Sequence, residues 1–157
     1  MGNRRPVRGL ALEGVLIMMV RLLYVSRPVV PLTTTVTGSI LATARAHNAA
    51  NGITGALCQG QGLFLQVLEG ERSAVNRLYG RIMLDRRHQD VELLQLEEIA
   101  ERRFGQWSMA HVDLSSLDPM VQLKHPEFDP YSASGAFAMT LLEELLAAGS
   151  PINFSPA

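Results

Sequence analysis

Five side chains carry polar groups that recognise a flat heterocycle, and the predicted elements direct them toward one groove. Tyr24 supplies a hydroxyl, whereas Asn48 and Gln66 supply amides that both donate and accept hydrogen bonds. Arg87 supplies a fixed cationic fork, and His88 follows it directly. This set suits a ring with carbonyls and ring nitrogens that bears a phosphate at one end. It suits nucleophilic catalysis poorly.

Gln66 is informative because it lies in the middle of an apolar strand, GLFLQVLEG, residues 62–70. Side chains alternate along a strand, so Gln66 shares one face with Phe64 and Leu68. The opposite face is formed by Leu63, Leu65 and Val67. Burying an amide without partners costs about 1–3 kcal/mol. We therefore expect the Gln66 amide to be hydrogen-bonded.

Each polar residue taken alone also has a structural explanation. A buried Tyr24 is commonly a core residue with a satisfied hydroxyl, and Asn48 could cap its helix. His47 is expected at the surface, and His111 is expected to be a structural group on a strand. Glu69 is read as a turn residue at the surface. The sequence lacks the nucleophile-elbow and P-loop motifs that would indicate a known catalytic template.

The apolar pattern predicts five strands and three helices in the order β-α-β-β-α-β-β-α. The predicted strands are 19–27, 53–59, 62–70, 91–99 and 107–114, and the predicted helices are 33–52, 71–88 and 132–149. The first six elements match the ferredoxin-like arrangement, an α+β fold with two helices across one face of the sheet. The C-terminal helix is expected to cover the other face, or to form part of an oligomer or partner interface.

Composition restricts the class of protein. The 157 residues, 47% hydrophobic and 18% charged, predict one folded domain with a real core. A net charge of −1 gives no reason to expect nucleic-acid binding. The single cysteine, Cys58, is read as a small core residue. The four histidines show no metal-ligand spacing, so we predict no metal site.

The chain divides into three segments by the regularity of its patterns. Residues 1–18 are expected to be a loose N-terminal extension, in which Met18 or Met19 could be the true start. Its apolar run is shorter than the ~20 residues that span a bilayer, so we predict no membrane association and a cytoplasmic location. Residues 19–114 are the predicted ligand-binding domain, and 115–157 are a proline-broken linker followed by the C-terminal helix.

Five segments in the predicted domain together resemble the BLUF domain, a blue-light sensor that uses FAD. They are RLLYVSR, ATARAHNAANGITGAL, GLFLQVLEG, DRRHQDV and IAERRFGQWSMAHVDL, which occur in the family's order and spacing. The resemblance covers about residues 19–114 and implies the ferredoxin-like fold reached above. It further implies that FAD is held non-covalently between the two helices.

The resemblance implies roles for the residues around the flavin ring. Tyr24 matches the photoactive tyrosine that gives an electron and a proton to the excited flavin. Gln66 matches the glutamine that switches its hydrogen bonds between that tyrosine and the flavin. Asn48 matches the asparagine that binds the polar edge of the ring, and His47 matches a residue that packs near it in some members. This match moves His47 from the surface toward the ring.

The resemblance also implies a phosphate end and a route for the signal. Arg87 and His88 match residues near the pyrimidine side of the ring or the ribityl phosphate chain. Trp107 and Met109 match the pair on the fifth strand that is thought to relay the signal. Because they are two residues apart, we expect them to share one face of that strand.

The expected output of such a chain is an interaction with another protein. No cyclase, phosphodiesterase or DNA-binding pattern follows residue 114. We therefore expect a short, single-domain sensor that is not an enzyme, that forms a homo-oligomer and that signals through a separate effector protein. Two alternatives stay open: a small hydrolase resembling the acylphosphatases, which share this fold, and a flavin-free relative that serves as a protein-interaction module.

Overall fold

A computed structural model describes residues 10–12, 15–29, 33–113 and 129–148. Near the N-terminus, β1 (Leu10–Leu12) and β2 (Val15–Ile17) pair in antiparallel fashion as a separate two-stranded sheet. The sequence predicts a loose extension there, whereas these six residues form paired strands. Leu114, the linker segment 115–128 and the residues after 148 lie outside the described ranges.

The main sheet has five strands: β3 (Met19–Pro28), β4 (Thr54–Gly60), β5 (Leu63–Glu71), β6 (His88–Ile99) and β7 (Ala110–Asp113). Their spatial order is β6-β3-β5-β4-β7. Only the pairing of β4 with β7 is parallel. The first four strands in this order have the ferredoxin-like topology, and β7 extends the sheet beside β4. The α+β prediction is confirmed.

In the described ranges, three helices connect or flank these strands: α1 (Thr34–Ala50), α2 (Arg72–Leu84) and α3 (Gly135–Ala148). Thr33 caps α1, since its hydroxyl accepts a bond from the Val36 amide at 3.2 Å. The helix ends before Gly52, whose φ of +65° favours glycine. None of the described helices is long and apolar enough to cross a membrane.

The sheet separates two apolar clusters. One contains Leu22, Tyr24 and Leu68 of the sheet together with Leu41 of α1 and Val75 of α2, and we call this side the helix-pair face. The other side, the α3 face, holds the opposite side chains of the same strands packed against α3; it includes Leu23, Val25, Leu65, Val67, Ala138, Leu142 and Leu145. The alternation predicted for residues 63–68 is therefore confirmed.

The C-terminal helix covers the sheet, which is the first of the two placements expected for it. Leu142 is completely buried in the α3 face, and Gly135 allows the helix to begin very close to β6. A Cβ atom at Gly135 would lie 2.2 Å from the Leu94 carbonyl oxygen. Phe137 is nevertheless 48% exposed, so α3 also presents apolar surface outward.

A buried ion pair joins three strands beneath α3. Glu69 is 0% exposed and Arg21 is 3% exposed, and they face each other directly across β3 and β5. The Arg21 Nε atom donates to the Glu69 carboxylate at 2.8 Å and its Nη1 donates to Glu97 at 2.7 Å. The amides of Arg103 and Phe104 also donate to Glu69, at 3.0 and 2.7 Å. The surface reading of Glu69 was wrong, because this carboxylate anchors the segment after β6.

Replacing Glu69 by alanine should lower the free energy of unfolding by about 3–5 kcal/mol, because the buried Arg21 Nε atom and two backbone amides would lose their shared acceptor. Glu98→Ala is the matched control. Glu98 forms an exposed 3.8 Å pair with Arg72, and its loss should cost less than about 1 kcal/mol. Urea unfolding of both variants measures the difference. Equal destabilisation of the two variants would contradict this role of Glu69.

Candidate functional site

A cavity of about 370 Å³ lies between α1 and α2 on the helix-pair face. All six residues predicted to bind the ligand line it: Tyr24, His47, Asn48, Gln66, Arg87 and His88. Met109 lines it too, and the apolar part of the wall comes from Ile40, Leu41, Leu57, Phe64, Leu78 and Ile82. The size falls within the ~300–1,000 Å³ of ligand pockets, and the wall is apolar with few polar groups.

Tyr24 and Gln66 form the floor of the cavity. They lie directly opposite each other in the register of β3 and β5, so both side chains point to the same face. The Tyr24 hydroxyl donates a hydrogen bond to the Gln66 Oε1 atom. On its other side, the Gln66 Nε2 atom donates to the Met109 sulfur at 3.4 Å. The buried amide therefore has partners at both ends, as expected, although one of them is a weak thioether acceptor.

The surroundings of Tyr24 keep its phenol protonated. Burial raises the pKa of Tyr24 well above its usual range, and the nearby Tyr79 and Asp85 raise it further. The Tyr79 ring lies 5.7 Å from the Tyr24 ring between centroids, and the His88 ring lies 6.4 Å away. The neutral phenol thus keeps its proton in the hydrogen bond to Gln66 at any physiological pH.

Asn48 reaches from α1 to the segment before β7. Its side chain is 2% exposed, and its Nδ2 atom donates to the Ser108 carbonyl oxygen at 2.8 Å. The helix cap is made instead by Asn51, whose Nδ2 atom donates to the His47 carbonyl oxygen at 2.8 Å. Asn48 is therefore a buried site residue rather than a cap.

Two arginines, Arg81 and Arg87, line the cavity. The Arg81 guanidinium of α2 contacts the His47 ring of α1, so the two helices meet across the cavity. Burial and the charge of Arg81 lower the pKa of His47, which favours its neutral form. Arg81 was missed from the sequence because it lies outside the apolar stripe of its helix.

Arg87 and His88 line the cavity beside the end of β3, held by different partners. Arg87 pairs with Asp85 at 2.5 Å, and the hydrogen bond from Arg87 is the main reason that the pKa of Asp85 falls to about 2. The His88 Nδ1 atom lies 2.8 Å from the Ser26 hydroxyl, and its Nε2 atom lies 2.5 Å from the Ile82 carbonyl oxygen. Of the two arginines that line the cavity, Arg87 is already paired with a carboxylate.

Trp107 and Met109 lie on opposite sides of the sheet, which corrects the prediction that they share one face. β7 begins only at Ala110, three residues later than predicted, so both residues precede the strand. Met109 is 1% exposed and lies on the helix-pair face beside Gln66. Trp107 is half-buried against the α3 face, where it lines a second cavity with Phe104 and Leu146. The two-residue alternation of a strand does not apply to a loop.

The residues present fit a flavin. A planar ring would contact the apolar wall, while the amides of Asn48 and Gln66 offer donors and acceptors to its polar edge. Arg81 and Arg87, which also line the cavity, offer charged donors to a phosphate chain. No cluster of residues able to hold a metal ion occurs in the described part of the chain.

Comparisons with known proteins agree with this site. Residues 19–110 match the family model described as BLUF, sensors of blue-light using FAD. The photoactivated adenylate cyclase subunit alpha-like protein FB of Euglena gracilis is 32% identical over 143 residues, which is 88% of this chain and 14% of that relative. This chain thus spans about a seventh of that protein's length.

Solved structures give the same result. BlrB, a BLUF protein in its dark state, superposes with a TM-score of 0.71 at 32% identity, over 84% of this chain and 97% of that one. The photo-activated state of BlsA superposes with a TM-score of 0.73 at 30% identity, over 88% of this chain and all of that one. Klebsiella pneumoniae BlrP1 with FMN and cyclic diGMP gives 0.62 at 29% identity, over 85% of this chain and 31% of that one.

The chain therefore belongs to the BLUF family, the flavin-binding sensors of blue light. Membership follows from a family match that covers more than half of the chain and that coincides with the cavity residues. It favours the photoreceptor over the acylphosphatase-like alternative.

A bulky side chain in the cavity wall should exclude the flavin. Ala44 lines the cavity, whereas Ala46, two residues along the same helix, is exposed. We expect Ala44→Trp to weaken flavin binding at least about tenfold, which corresponds to ~1.4 kcal/mol. Ala46→Trp should bind normally. Flavin titration of both variants measures the affinities, and an unchanged affinity in Ala44→Trp would contradict the assignment of the cavity.

Proposed function

We propose that this chain binds FAD non-covalently and that light-driven transfer of an electron and a proton from Tyr24 rearranges the hydrogen bonds of Gln66. The observation that carries the proposal is the chain of contacts on the cavity floor. It runs from the Tyr24 hydroxyl through the Gln66 amide to the Met109 sulfur. Tyr24 can lose an electron, the Gln66 amide can reverse its hydrogen bonds, and Met109 immediately precedes β7.

The flavin supplies light absorption and an electron acceptor. Tyr24 releases an electron together with its phenol proton, because its raised pKa disfavours loss of the proton alone. When both return to Tyr24, Gln66 has reversed its amide or changed its tautomer. The change exchanges the Gln66 bonds to the Tyr24 hydroxyl and to the Met109 sulfur, and a net hydrogen bond contributes about 1 kcal/mol. In its new arrangement the Gln66 amide would offer a stronger donor to a bound flavin, which would shift the absorption to the red.

The rearrangement would reach the rest of the molecule through the segment before β7. Met109 contacts Gln66 on one side of the sheet, and Trp107 contacts the α3 cluster on the other. A change at Gln66 therefore has a short covalent path to the surface near α3. This geometry supports Trp107 and Met109 as relay residues, although they do not act as neighbours on one strand face.

We further propose that this chain senses light while a separate effector protein produces the response. Several relatives are named as photoactivated adenylate cyclases, which supports the proposal that a light sensor of this kind acts on an effector. In this proposal the chain itself is not an enzyme. Homo-oligomer formation and a cytoplasmic location stay predictions, with the outward side of α3 as the surface for assembly.

FAD is proposed over FMN because the description of the family names it. One similar structure contains FMN, so the choice needs a direct measurement. Arg81 and Arg87 in the cavity lining support binding of a phosphate chain of either cofactor. Heat release of the cofactor from purified protein, followed by chromatography against both standards, distinguishes them.

Removing either member of the switching pair should abolish the spectral response without removing the flavin. In Tyr24→Phe the electron and proton donor is lost, and in Gln66→Leu the amide that changes its bonds is lost. Both variants should stay yellow and show less than about a tenth of the wild-type red shift, the size of effect expected when an obligatory group is removed. Absorption spectra before and after blue light measure this, and a normal red shift in either variant would disprove the mechanism.

A further inference from the structure

The segment before β7 presents three successive carbonyl oxygens, and a different group binds each of them. The Gly55 amide of β4 donates to Trp107 at 3.1 Å. The Asn48 side chain donates to Ser108 at 2.8 Å, and the Arg45 Nε atom donates to Met109 at 3.0 Å. Two side chains of α1 therefore hold the backbone that carries both relay residues.

Arg45 differs from Asn48 in its relation to the cavity. It precedes Asn48 by three residues, so both lie on the same side of α1. Asn48 lines the cavity, whereas Arg45 does not. Its guanidinium is charged, and a charged donor binds a carbonyl more strongly than a neutral one. Substitution of Arg45 thus removes a strong hold on the segment without removing a wall of the flavin site.

The segment needs this hold because its conformation leaves a polar group unsatisfied. The Ser108 hydroxyl is buried and has no hydrogen-bond partner. An unpaired buried hydroxyl favours any alternative arrangement that would satisfy it. The carbonyl bonds from α1 oppose that tendency, and they keep the Met109 sulfur within 3.4 Å of the Gln66 amide.

We propose that Arg45 is a positioning residue that sets the lifetime of the light state by holding the Met109 carbonyl. In the resting state the bond places the Met109 sulfur on the Gln66 amide. After light has rearranged Gln66, the same bond guides Met109 back and favours return of the amide. This inference rests on the photocycle proposed above.

The test is the rate of dark recovery in Arg45→Met. The variant lacks the Arg45–Met109 hydrogen bond, which we expect to be partly formed in the transition state for the return from the light state to the dark state. Its loss should slow recovery roughly three- to tenfold. Flavin affinity should be unchanged because Arg45 lies outside the cavity wall. Arg77→Met, which removes the same charge from an exposed position on α2, is the matched control and should recover at the wild-type rate. Arg45→Lys keeps a charged donor and should recover faster than Arg45→Met.

A second measurement reports the loop directly. Trp107 is the only tryptophan, so its fluorescence can be followed in the dark-state protein. Quenching by acrylamide should increase in Arg45→Met and not in Arg77→Met, because the segment would be less firmly held.

Arg45→Gln serves if the methionine variant does not fold. A recovery rate within about twofold of wild type, in a protein whose wild type does undergo the photocycle, would overturn the inference. A wild type without a photocycle would instead refute the proposed function.

Discussion

The hydrogen bond between Tyr24 and Gln66 is the interaction on which the site depends. It exists because β3 and β5 pair in a register that places the two residues opposite each other on one face. A shift of one residue would turn Gln66 into the α3 face and remove it from the cavity. The buried pair of Arg21 and Glu69 lies farther along the same two strands and helps to fix that register. The Arg21–Glu69 ion pair on the α3 face thus helps to keep the Tyr24–Gln66 hydrogen bond in register on the helix-pair face.

The sheet also explains how a small event could be transmitted. Along its central strands, successive side chains alternate between the helix-pair face, which contains the cavity, and the cluster under α3. The segment before β7 repeats this division in a loop, with Met109 on the first side and Trp107 on the second. Glu69 binds the backbone earlier in this loop, at Arg103 and Phe104, while Arg45 and Asn48 bind Met109 and Ser108 at its end. The loop between β6 and β7 is therefore held at two places, and its side chains Trp107 and Met109 reach the two cores.

Much of this arrangement could be predicted from the sequence, because alternation and helical periodicity are local properties. They placed Gln66 and Tyr24 correctly and gave the order of the elements. The role of Glu69 was not predictable, since it depends on which strand lies opposite and places Arg21 there. The prediction placed Trp107 and Met109 on one face because it began the last strand at residue 107, whereas the strand begins at Ala110. Arg45 and Arg81 carry no local signal, since a charged residue on a helix is ordinarily exposed.

The most direct measurement is the absorption spectrum of the purified, flavin-loaded protein before and after blue light, followed in the dark. The photocycle proposed from membership of the BLUF family predicts a small red shift of the flavin bands that forms on illumination and reverses in the dark. Such a shift means that the hydrogen bonds at the flavin have changed while the flavin itself has not. A spectrum that does not change, or one in which the flavin bands are lost by lasting reduction, would contradict a photocycle based on rearrangement of Gln66.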